Sequence, residues 1–356
     1  MIHIERRLAS QLKPIPSVGD LKFGQHFSDH WFSCKFSEQK GWHGFQIEPY
    51  GTISLHPAAS VFHYGQALFE GMKSFRQQSG DIVLFRPEYN YNRMQEGAAR
   101  LCLEMPSQEI FMAGLKELLT QDQRWILKDE GASLYIRPTL IGTEPFLGVR
   151  PAREILFFIL LSPVGNYYSG GREPTRIWVE DAAVRAAPGG LGATKAGANY
   201  AASLFSSQNA KKQGYDQVLW LDVNHDGIEE VGTMNVFWVF NNEVVTPALN
   251  GSILAGGMRD SVLQILRSEG KAVSERRITM TEVIDKHRRG ELVEAFGTGT
   301  AVIISPIGEL AYKGEKYAIN GGKTGPLSLR LAETITRLQR GLDRDKFDWI
   351  KPLSLL

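Results

Sequence analysis

Runs of apolar and β-branched residues, bounded by turn-forming residues, recur along the chain and predict strands. Before residue 162 these are IVLF at 82–85, SLYIRPTLIG at 133–142 and the apolar run at 155–161, which is too short to cross a bilayer and indicates a buried strand. After it, RIWVE, QVLWLDV, MNVFWVF and LVEAFG, which are rich in aromatic and β-branched residues, also predict strands.

Longer stretches between the strands predict helices, and capping residues mark several of their ends. The first helix ends before Pro106, the second opens at Ser107 as an N-cap, and Gly214, Gly270 and Gly290 occupy positions where glycine terminates a helix. The predicted helices span 88–104, 107–128, 199–213, 258–269 and 282–289. The first half is typical of an α+β domain, and the second of an α/β domain built on a mixed sheet.

The stretch SPVGNYYSGGREP at 162–174 interrupts the pattern with Gly, Pro and Ser and indicates an interdomain connection. We therefore predict a small α+β domain at 1–162, an interdomain loop at 163–175 and a large α/β domain at 176–356. No internal repeat interrupts this organisation.

Charge and cysteine content argue against several classes of partner and of structural site. Lys and Arg number 40 and Asp and Glu 39, so the formal charge of +1 offers no basic field for nucleic acid or for an anionic membrane. The two cysteines, Cys34 and Cys102, show neither disulfide nor zinc-ligand spacing. The first residues contain no continuous apolar segment of a secretory signal, and a cytoplasmic location is predicted.

The segment 222–233 resembles a calcium loop. Asp222, Asn224, Asp226 and Gly227 occupy EF-hand positions, but the twelfth position, which requires a bidentate glutamate, is Thr233. The flanking sequences are typical of strands, so we predict a hairpin turn and no metal site. That interpretation leaves the two glutamates that follow, at 229 and 230, unexplained.

The Gly-rich segment GGLGATKAGANY at 189–200 contains one lysine, Lys195, but matches neither the P-loop nor the dinucleotide fingerprint. Small neighbours would let a planar ligand lie against the backbone, and burial would lower the pKa of an amine, as Schiff-base chemistry requires. The alternative is an ordinary surface lysine.

Three further segments offer donors for an anion. Gly256 and Gly257 precede a predicted helix, where free amides form an anion site, although a plain loop-to-helix junction is the alternative. AFGTGTAVIISPI supplies Thr298 and Thr300 at a strand end. Arg93 lies beside the buried side of a predicted helix, where it is either a paired charge or a bidentate phosphate ligand. Together these parts match the needs of pyridoxal 5′-phosphate: an amine, an acid and phosphate donors.

Seven stretches then carry a specific resemblance that extends over nearly the whole chain: FHYGQALFEGMKSF (62–75), LFRPEYNYNRM (84–94), LYIRPTLIGTEPFLGV (134–149), GGLGATKAGANY (189–200), EEVGTMNVF (229–237), ILAGGMRDS (253–261) and GTGTAVIISPI (297–307). In this order they resemble the branched-chain amino acid aminotransferases of the fold-type IV pyridoxal-phosphate enzymes, in the longer subgroup that includes the animal enzymes. The resemblance implies a two-domain fold of the D-amino-acid-aminotransferase type.

The resemblance implies a role for each cofactor-binding residue. Lys195 would be the catalytic Schiff-base lysine, Tyr200 would hydrogen-bond the cofactor's phenolic oxygen, and Glu230 would pair with the pyridine nitrogen. The phosphate would be held by Arg93, the backbone amides of Gly257 and Met258, and the hydroxyl of Thr300.

The resemblance also implies an apolar pocket that selects leucine, isoleucine and valine by burial. Arg137 with Tyr135, and the amides of Thr300 and Ala301, would bind carboxylates. The side-chain pocket would be formed by Phe27, Tyr64, Phe69, Tyr135, Tyr167 and Thr233, with Leu147 and Val149 of a neighbouring subunit. The alternative for each aromatic residue is core packing.

One departure from the animal enzymes changes the chemistry. Where those enzymes carry a redox-active CxxC, this chain has Val302, Ile303, Ile304 and Ser305, so a thiol switch is excluded at that position.

The implied activity is ping-pong transfer of an amino group between branched-chain amino acids and 2-oxoglutarate. A homodimer follows from the shared pocket, and no nucleic acid or membrane is expected as a partner. The open alternatives are another fold-type IV enzyme, such as a D-amino-acid aminotransferase or an aminodeoxychorismate lyase, and a calcium-binding or structural module. The sequence leaves open the preference among the three substrates, the physiological direction, any oligomer beyond a dimer, and the role of the first thirty residues.

Overall fold

The computed structural model describes residues 1–6, 9–165 and 173–356. These residues form two compact units. The first unit takes the described residues of Met1–Ser169 together with Thr194–Ala198 and Arg337–Leu356, and the second takes those of Gly170–Ala193 and Asn199–Thr336.

Strands and helices alternate along the chain, as the mixed pattern of the sequence predicted. The strands are β1 (His3–Ile4), β2 (His30–Ser37), β3 (Gly41–Pro49), β4 (Ala67–Phe69), β5 (Met72–Arg76), β6 (Ile82–Phe85), β7 (Ser133–Gly142), β8 (Glu154–Val164), β9 (Thr175–Glu180), β10 (Gln217–Leu221), β11 (Ile228–Val231), β12 (Met234–Phe240), β13 (Val244–Thr246), β14 (Val273–Glu275), β15 (Leu292–Gly299), β16 (Ile303–Tyr312), β17 (Glu315–Ala318) and β18 (Ile350–Pro352). The helices are α1 (Ser60–Tyr64), α2 (Pro87–Arg100), α3 (Gln108–Gln121), α4 (Gly197–Lys212), α5 (Gly257–Ser268), α6 (Met280–Arg288) and α7 (Pro326–Gln339).

The sheet of the first unit runs β1-β3-β2-β8-β7-β5-β6-β18, with β4 paired to β7. Side chains alternate across β7, so Leu134 and Ile136 enter the core while Tyr135 lies on the opposite face. The core side of the sheet is covered by apolar residues of α2 and α3, among them Met94 and Leu115. The opposite face carries a second apolar cluster, which includes Trp31, Ile141 and Phe158, as well as the polar side chains described below.

The sheet of the second unit runs β11-β10-β9-β16-β15-β12-β13-β14, with β17 paired to β16. Because β11 also pairs with β12, six of these strands close into a ring. Parallel pairs (β9 with β10 and with β16) stand beside antiparallel ones, which confirms the predicted mixed sheet. Trp238, Val236 and Ile177 belong to its buried core.

The predicted strands and helices are confirmed, with differences at their ends. Gly214, Gly270 and Gly290 have φ of +87°, +70° and +69°, the left-handed conformation that ends a helix. The helix predicted at 107–128 stops at Gln121, because a short 3-10 turn follows at Gln123–Trp125. In that turn the indole of Trp125 donates a hydrogen bond to the buried Asp29 at 2.8 Å.

The domain limits derived from the sequence remain a prediction, and the two contact-based units differ from them in two segments. Residues 194–198 join the first unit, where Ala196 forms a β-bridge with Leu68. Residues 337–356 join it as well, because β18 pairs with β6 and the carbonyl of Trp349 accepts the amide of Arg86 at 2.8 Å.

None of the helices in the described part of the chain is both long and apolar enough to cross a bilayer.

Candidate active site

Lys195 lies in the first unit, on the short segment that bridges to β4. Its carbonyl accepts the amide of Phe69 at 3.2 Å, and its ammonium lies 4.9 Å from the centre of the Phe69 ring. Burial lowers the pKa of Lys195, and the positive charge of Arg93 lowers it further, while the charge of Glu70 acts in the opposite direction. The neutral amine is therefore favoured at a lower pH than for an exposed lysine.

Arg93, on α2, forms a bidentate ion pair with Glu70. Its Nε and Nη2 donate to the two carboxylate oxygens at 2.7 and 2.8 Å, and Glu70 is fully buried. Asn90 donates to the same carboxylate at 2.8 Å. Burial alone would raise the pKa of Glu70, but the neighbouring Arg93 brings it below the usual value. Arg93 is thus a paired charge, and the pair fixes the direction of its guanidinium; its role at a phosphate stays a prediction.

A glycine brings α2 close to the segment that carries Lys195. A Cβ at Gly97 would lie 2.9 Å from Leu68 and 3.2 Å from Thr194, both tighter than ordinary contact. The small residue therefore allows the helix with Arg93 to approach Lys195.

Tyr135 and Arg137 occupy the polar face of β7. The guanidinium of Arg137 donates to the Tyr135 hydroxyl at 3.0 Å and lies 4.4 Å from the centre of the Phe69 ring. A Cβ on Gly71 would collide with the Tyr135 hydroxyl, so glycine is required beside it. Arg137 is held by an aromatic ring and a phenol, and it presents a cation that suits a carboxylate.

The two phenylalanines near the N-terminus differ in their surroundings. Phe27, the predicted pocket residue, stacks on Tyr50 with ring centres 4.9 Å apart. Phe23 instead packs edge-on against Tyr135 at 4.8 Å and is 40% exposed. Sequence reasoning missed Phe23, and no periodic pattern in this irregular segment marks it.

Tyr64, Leu147 and Val149 lie on the surface of the first unit. Their relative exposures are 42%, 61% and 86%, and the Tyr64 hydroxyl donates to the Leu147 carbonyl. Tyr167, also predicted for the pocket, falls outside the described residues.

Glu230 lies on β11 in the second unit and is 4% exposed. One carboxylate oxygen accepts the amide of Leu254 at 2.9 Å, and the other lies 3.2 Å from Nε of Arg185. Asn235 approaches the first oxygen at 3.5 Å and donates to the Leu254 carbonyl at 2.9 Å. A cation and a backbone amide therefore surround a buried carboxylate, as a negative group needs in an apolar interior.

The remaining predicted cofactor residues lie in the second unit. Tyr200 is half-buried on α4, Gly257 begins α5, and Met258 is the second residue of that helix. Thr300 and Ala301 are half-buried in the turn between β15 and β16. The amides at the start of α5 and in this turn are the kind of donors that bind anions.

Thr233 is exposed in the tight turn between β11 and β12, next to Gly232, whose φ is +58°. The polar loop before it joins β10 to β11, so a short strand that the sequence did not resolve lies between the predicted turn and β12. Asp222 accepts the amides of Asn224 and Asp226 at 3.1 and 3.3 Å and pairs with Arg277 at 3.2 Å. Asp222 thus stabilises the turn and forms an ion pair with Arg277.

The turn after Thr300 carries the segment that replaces the thiol switch. Ile303 has φ of +64°, an unusual conformation for a β-branched residue, and the Thr298 hydroxyl donates to its carbonyl at 2.7 Å. Of the two cysteines, Cys34 is buried, which raises its pKa to about 12, and Cys102 is exposed just after α2.

Besides Phe23, four residues of these clusters escaped the sequence reasoning: Glu70, Asn90, Arg185 and Asn235. Asn90 stands three positions before Arg93, a spacing that places both on one helix face and could have been noticed. Glu70 and Arg185 reach their partners through tertiary contacts, which a single sequence does not reveal.

Comparison with known proteins identifies the family of the chain. The family model for amino-transferase class IV matches residues 67–310. The chain belongs to this family. It is 47% identical over 99% of its length to branched-chain-amino-acid aminotransferase 2 of Bacillus subtilis, covering 98% of that protein. It is 42% identical over 93% of its length to the branched-chain-amino-acid aminotransferase of Mycolicibacterium smegmatis, covering 92% of that protein.

Solved structures agree on the fold. The branched-chain aminotransferase of Thermoproteus uzoniensis with norvaline has a TM-score of 0.75 at 23% identity, with 91% of this chain and 99% of that chain covered. The branched-chain amino acid aminotransferase from Escherichia coli gives a TM-score of 0.74 at 24% identity, with 91% of this chain and 99% of that chain covered. The predicted family and the fold-type IV architecture are thereby confirmed.

Proposed function

We propose that this aminotransferase transfers the amino group between L-leucine, L-isoleucine or L-valine and 2-oxoglutarate, with pyridoxal 5′-phosphate as cofactor. Near full-length relatives named as branched-chain-amino-acid aminotransferases support the substrate class. The observation that carries the proposal is the setting of Lys195: an amine of lowered pKa beside the Arg93–Glu70 pair. In its neutral form such an amine can act as a nucleophile and as a proton acceptor.

The residues of the two units fit the separate parts of this cofactor. In the first unit Lys195 offers the amine and Arg93 a directed cation for the phosphate. In the second, Glu230 offers a buried carboxylate for a protonated ring nitrogen, and the amides at the start of α5 offer an anion site. We propose that both sets serve one cofactor, with Tyr200 donating to its phenolic oxygen and Thr300 and Met258 completing the phosphate site. When bound, pyridoxal 5′-phosphate supplies an aldehyde for the amine and accepts the electrons released at the substrate Cα.

Lys195 would carry the proton in each half-reaction. As a neutral amine it removes the proton from the substrate Cα, and as an ammonium it returns that proton on the other side of the transfer. The lowered pKa keeps more of Lys195 in the neutral form, the form that accepts a proton, at any given pH. Glu230 would keep the ring nitrogen protonated by its negative charge. Release of the branched 2-oxo acid and entry of 2-oxoglutarate complete a ping-pong cycle.

For the substrate, we propose that Arg137 with Tyr135 binds a carboxylate, helped by the amides of Thr300 and Ala301. The side chain would meet an apolar wall in which Phe23 joins Phe69, because Phe23 packs directly on Tyr135. The other predicted members of the pocket are Phe27, Tyr64, Tyr167 and Thr233, with Leu147 and Val149 of a second copy of the chain. A homodimer and a cytoplasmic location are part of the proposal.

The test replaces Lys195 by alanine and measures leucine transamination with 2-oxoglutarate. We expect a loss of at least about a thousandfold, since the covalent and proton-transfer roles are removed together. The matched control is Lys212→Ala, an exposed lysine at the end of α4, which should keep normal rates and the absorption band of the bound cofactor. Full activity in Lys195→Ala would contradict the proposal. Rapid turnover of D-alanine without L-leucine by the unmodified protein would favour another fold-type IV activity.

A further inference from the structure

Arg185 connects Glu230 to a neighbouring loop in the second unit. Nε of Arg185 lies 3.2 Å from the Glu230 carboxylate, and both side chains are less than a tenth exposed. The terminal Nη2 of Arg185 donates to the backbone carbonyl of Ser252. A Cβ on Gly192 would collide with this same carbonyl, so the contact leaves no room for a larger residue there. The hydrogen bond to the Ser252 carbonyl thus fixes the position of the Arg185 guanidinium.

Glu229 in turn holds Ser252. The Ser252 hydroxyl lies within hydrogen-bond distance of one oxygen of the Glu229 carboxyl group and 2.7 Å from Oδ1 of Asn250, and Asn250 donates to the same Glu229 oxygen at 3.3 Å. Asn250 also accepts the Ser252 amide at 3.0 Å. Glu229 is 1% exposed and Ser252 is fully buried, so no solvent competes for these bonds. The proposed function gives Glu229 no task, although it stands next to Glu230 in the chain.

The loop 250–254 therefore touches both adjacent glutamates of β11. Ser252 bonds Glu229, and the amide of Leu254 bonds Glu230 at 2.9 Å. A displacement of the loop would loosen Arg185 and the Leu254 amide at once, and these are two of the groups that stabilise the charge of Glu230.

The surroundings of Glu229 also affect its ionisation. Burial raises the pKa of Glu229, against the lowering influence of Ser252, Asn250 and Arg185, and the charge of Asp222 raises it further. A neutral carboxyl group accepts the serine hydroxyl without adding a second negative charge beside Glu230. A glutamine at this position would retain that acceptor.

We propose that Glu229 is a positioning residue, which through Ser252 fixes Arg185 and the loop 250–254 and so holds Glu230 in place for the cofactor's ring nitrogen. This inference rests on the proposed function of Glu230. It is distinct from a general stabilising role, because it predicts an effect on the bound cofactor and not only on folding.

The experiment compares Glu229→Ala and Glu229→Gln in the full-length protein loaded with pyridoxal 5′-phosphate. For Glu229→Ala we expect the Kd for the cofactor to rise about tenfold, which is the effect of losing about 1.4 kcal/mol. The pH at which the absorption band of the bound cofactor changes should also shift. Glu229→Gln should restore both within about twofold, since glutamine keeps the acceptor oxygen.

Glu294→Ala is the matched control. Glu294 is a buried glutamate of the same unit that accepts the Ser328 hydroxyl at 2.9 Å and the amide of Leu327 at 2.8 Å. We expect it to lower the melting temperature while leaving the cofactor's Kd and absorption unchanged. If Glu229→Ala does not fold, Ser252→Ala is measured in its place. We expect a smaller rise in the Kd for the cofactor, because the backbone carbonyl at position 252 still accepts the hydrogen bond from Arg185.

Three results would overturn the inference: unchanged Kd and absorption in Glu229→Ala, no change in Ser252→Ala when the first variant does not fold, or a Glu229→Gln protein as impaired as the alanine variant. Failure of the proposed function looks different, because the unmodified protein would then neither bind the cofactor nor convert leucine.

Discussion

Buried glutamates in this chain differ in the direction in which their surroundings shift the pKa, because their partners differ. Glu70 meets the guanidinium of Arg93 on both oxygens, and its pKa is lowered despite burial. Glu229 receives hydrogen bonds from neutral groups, and burial raises its pKa. The charged form of the side chain is thus favoured at Glu70, and the neutral form at Glu229. The sequence alone shows neither contact, because 23 positions separate Glu70 from Arg93 and likewise Glu229 from Ser252.

The first prediction concerns stability at the Glu70–Arg93 pair. Glu70→Gln leaves a buried arginine without its counter-charge, and we expect the free energy of unfolding at pH 7 to fall by about 3 kcal/mol. The lowered pKa of Glu70 means that its contribution is complete above the unfolded value near 4.5 and is lost as the pH falls towards the folded value. The difference between variant and unmodified protein should therefore shrink below pH 4.5. Urea unfolding across this range measures it.

The control is Glu88→Gln, which removes the half-exposed pair of Glu88 with Lys351 at 3.1 Å. Exposed pairs contribute at most about 1 kcal/mol, so this variant should lose far less. Equal losses of unfolding free energy in the two variants would show that the buried pair contributes no more to stability than the exposed pair.

At the scale of elements, local signals predicted most of the helices and strands. The limits of β6 and β7 match the apolar runs, and the serine at 107 caps α3 through the amide of Ile110. The short strand β11 was not separated from its neighbours, because its four residues include two glutamates that do not resemble a buried strand. Closure of the six-stranded ring and the partners of Arg93 and Arg185 depend on long-range pairing. Spacing along a single sequence does not encode these contacts.

The second prediction concerns the start of α5. A Cβ on Gly256 would collide with the side-chain oxygen of Asn235, which would push Asn235 away from the Leu254 carbonyl and from Glu230. We expect Gly256→Ala to raise the Kd for pyridoxal 5′-phosphate by about tenfold, with a smaller effect on the melting temperature. Fluorescence titration of the cofactor measures the change.

Gly270→Ala at the other end of α5 is the comparison. Its φ of +70° strains an alanine, so it should cost about 1 kcal/mol of stability and leave the cofactor's affinity intact. If both variants weakened cofactor binding equally, a local role for Gly256 would be excluded.

For the molecule as a whole, assembly is the third prediction. Leu147 and Val149 expose two large apolar side chains close together in the sequence, and in the proposed dimer a second copy of the chain covers them. We expect Leu147→Ser with Val149→Ser to lower kcat/KM for leucine by about tenfold, because a shared pocket loses two apolar contacts. Light scattering on the unmodified protein should give the mass of a dimer.

Leu355→Ser is the control, as this residue is also exposed, at 69%, but lies at the C-terminal end of the chain. It should leave the kinetics for leucine unchanged. A monomeric protein with full activity, or a double variant with normal kinetics, would remove the argument for a shared pocket.

The unequal surroundings of the two thiols have a practical consequence. Cys34 is shielded and holds its proton up to about pH 12, whereas Cys102 is accessible directly after the helix that carries Arg93. A maleimide dye at neutral pH should therefore attach at a single position without any engineered cysteine. Such a probe, placed at the end of α2, would test by its fluorescence whether added pyridoxal 5′-phosphate changes the surroundings of that helix, as the role proposed for Arg93 requires.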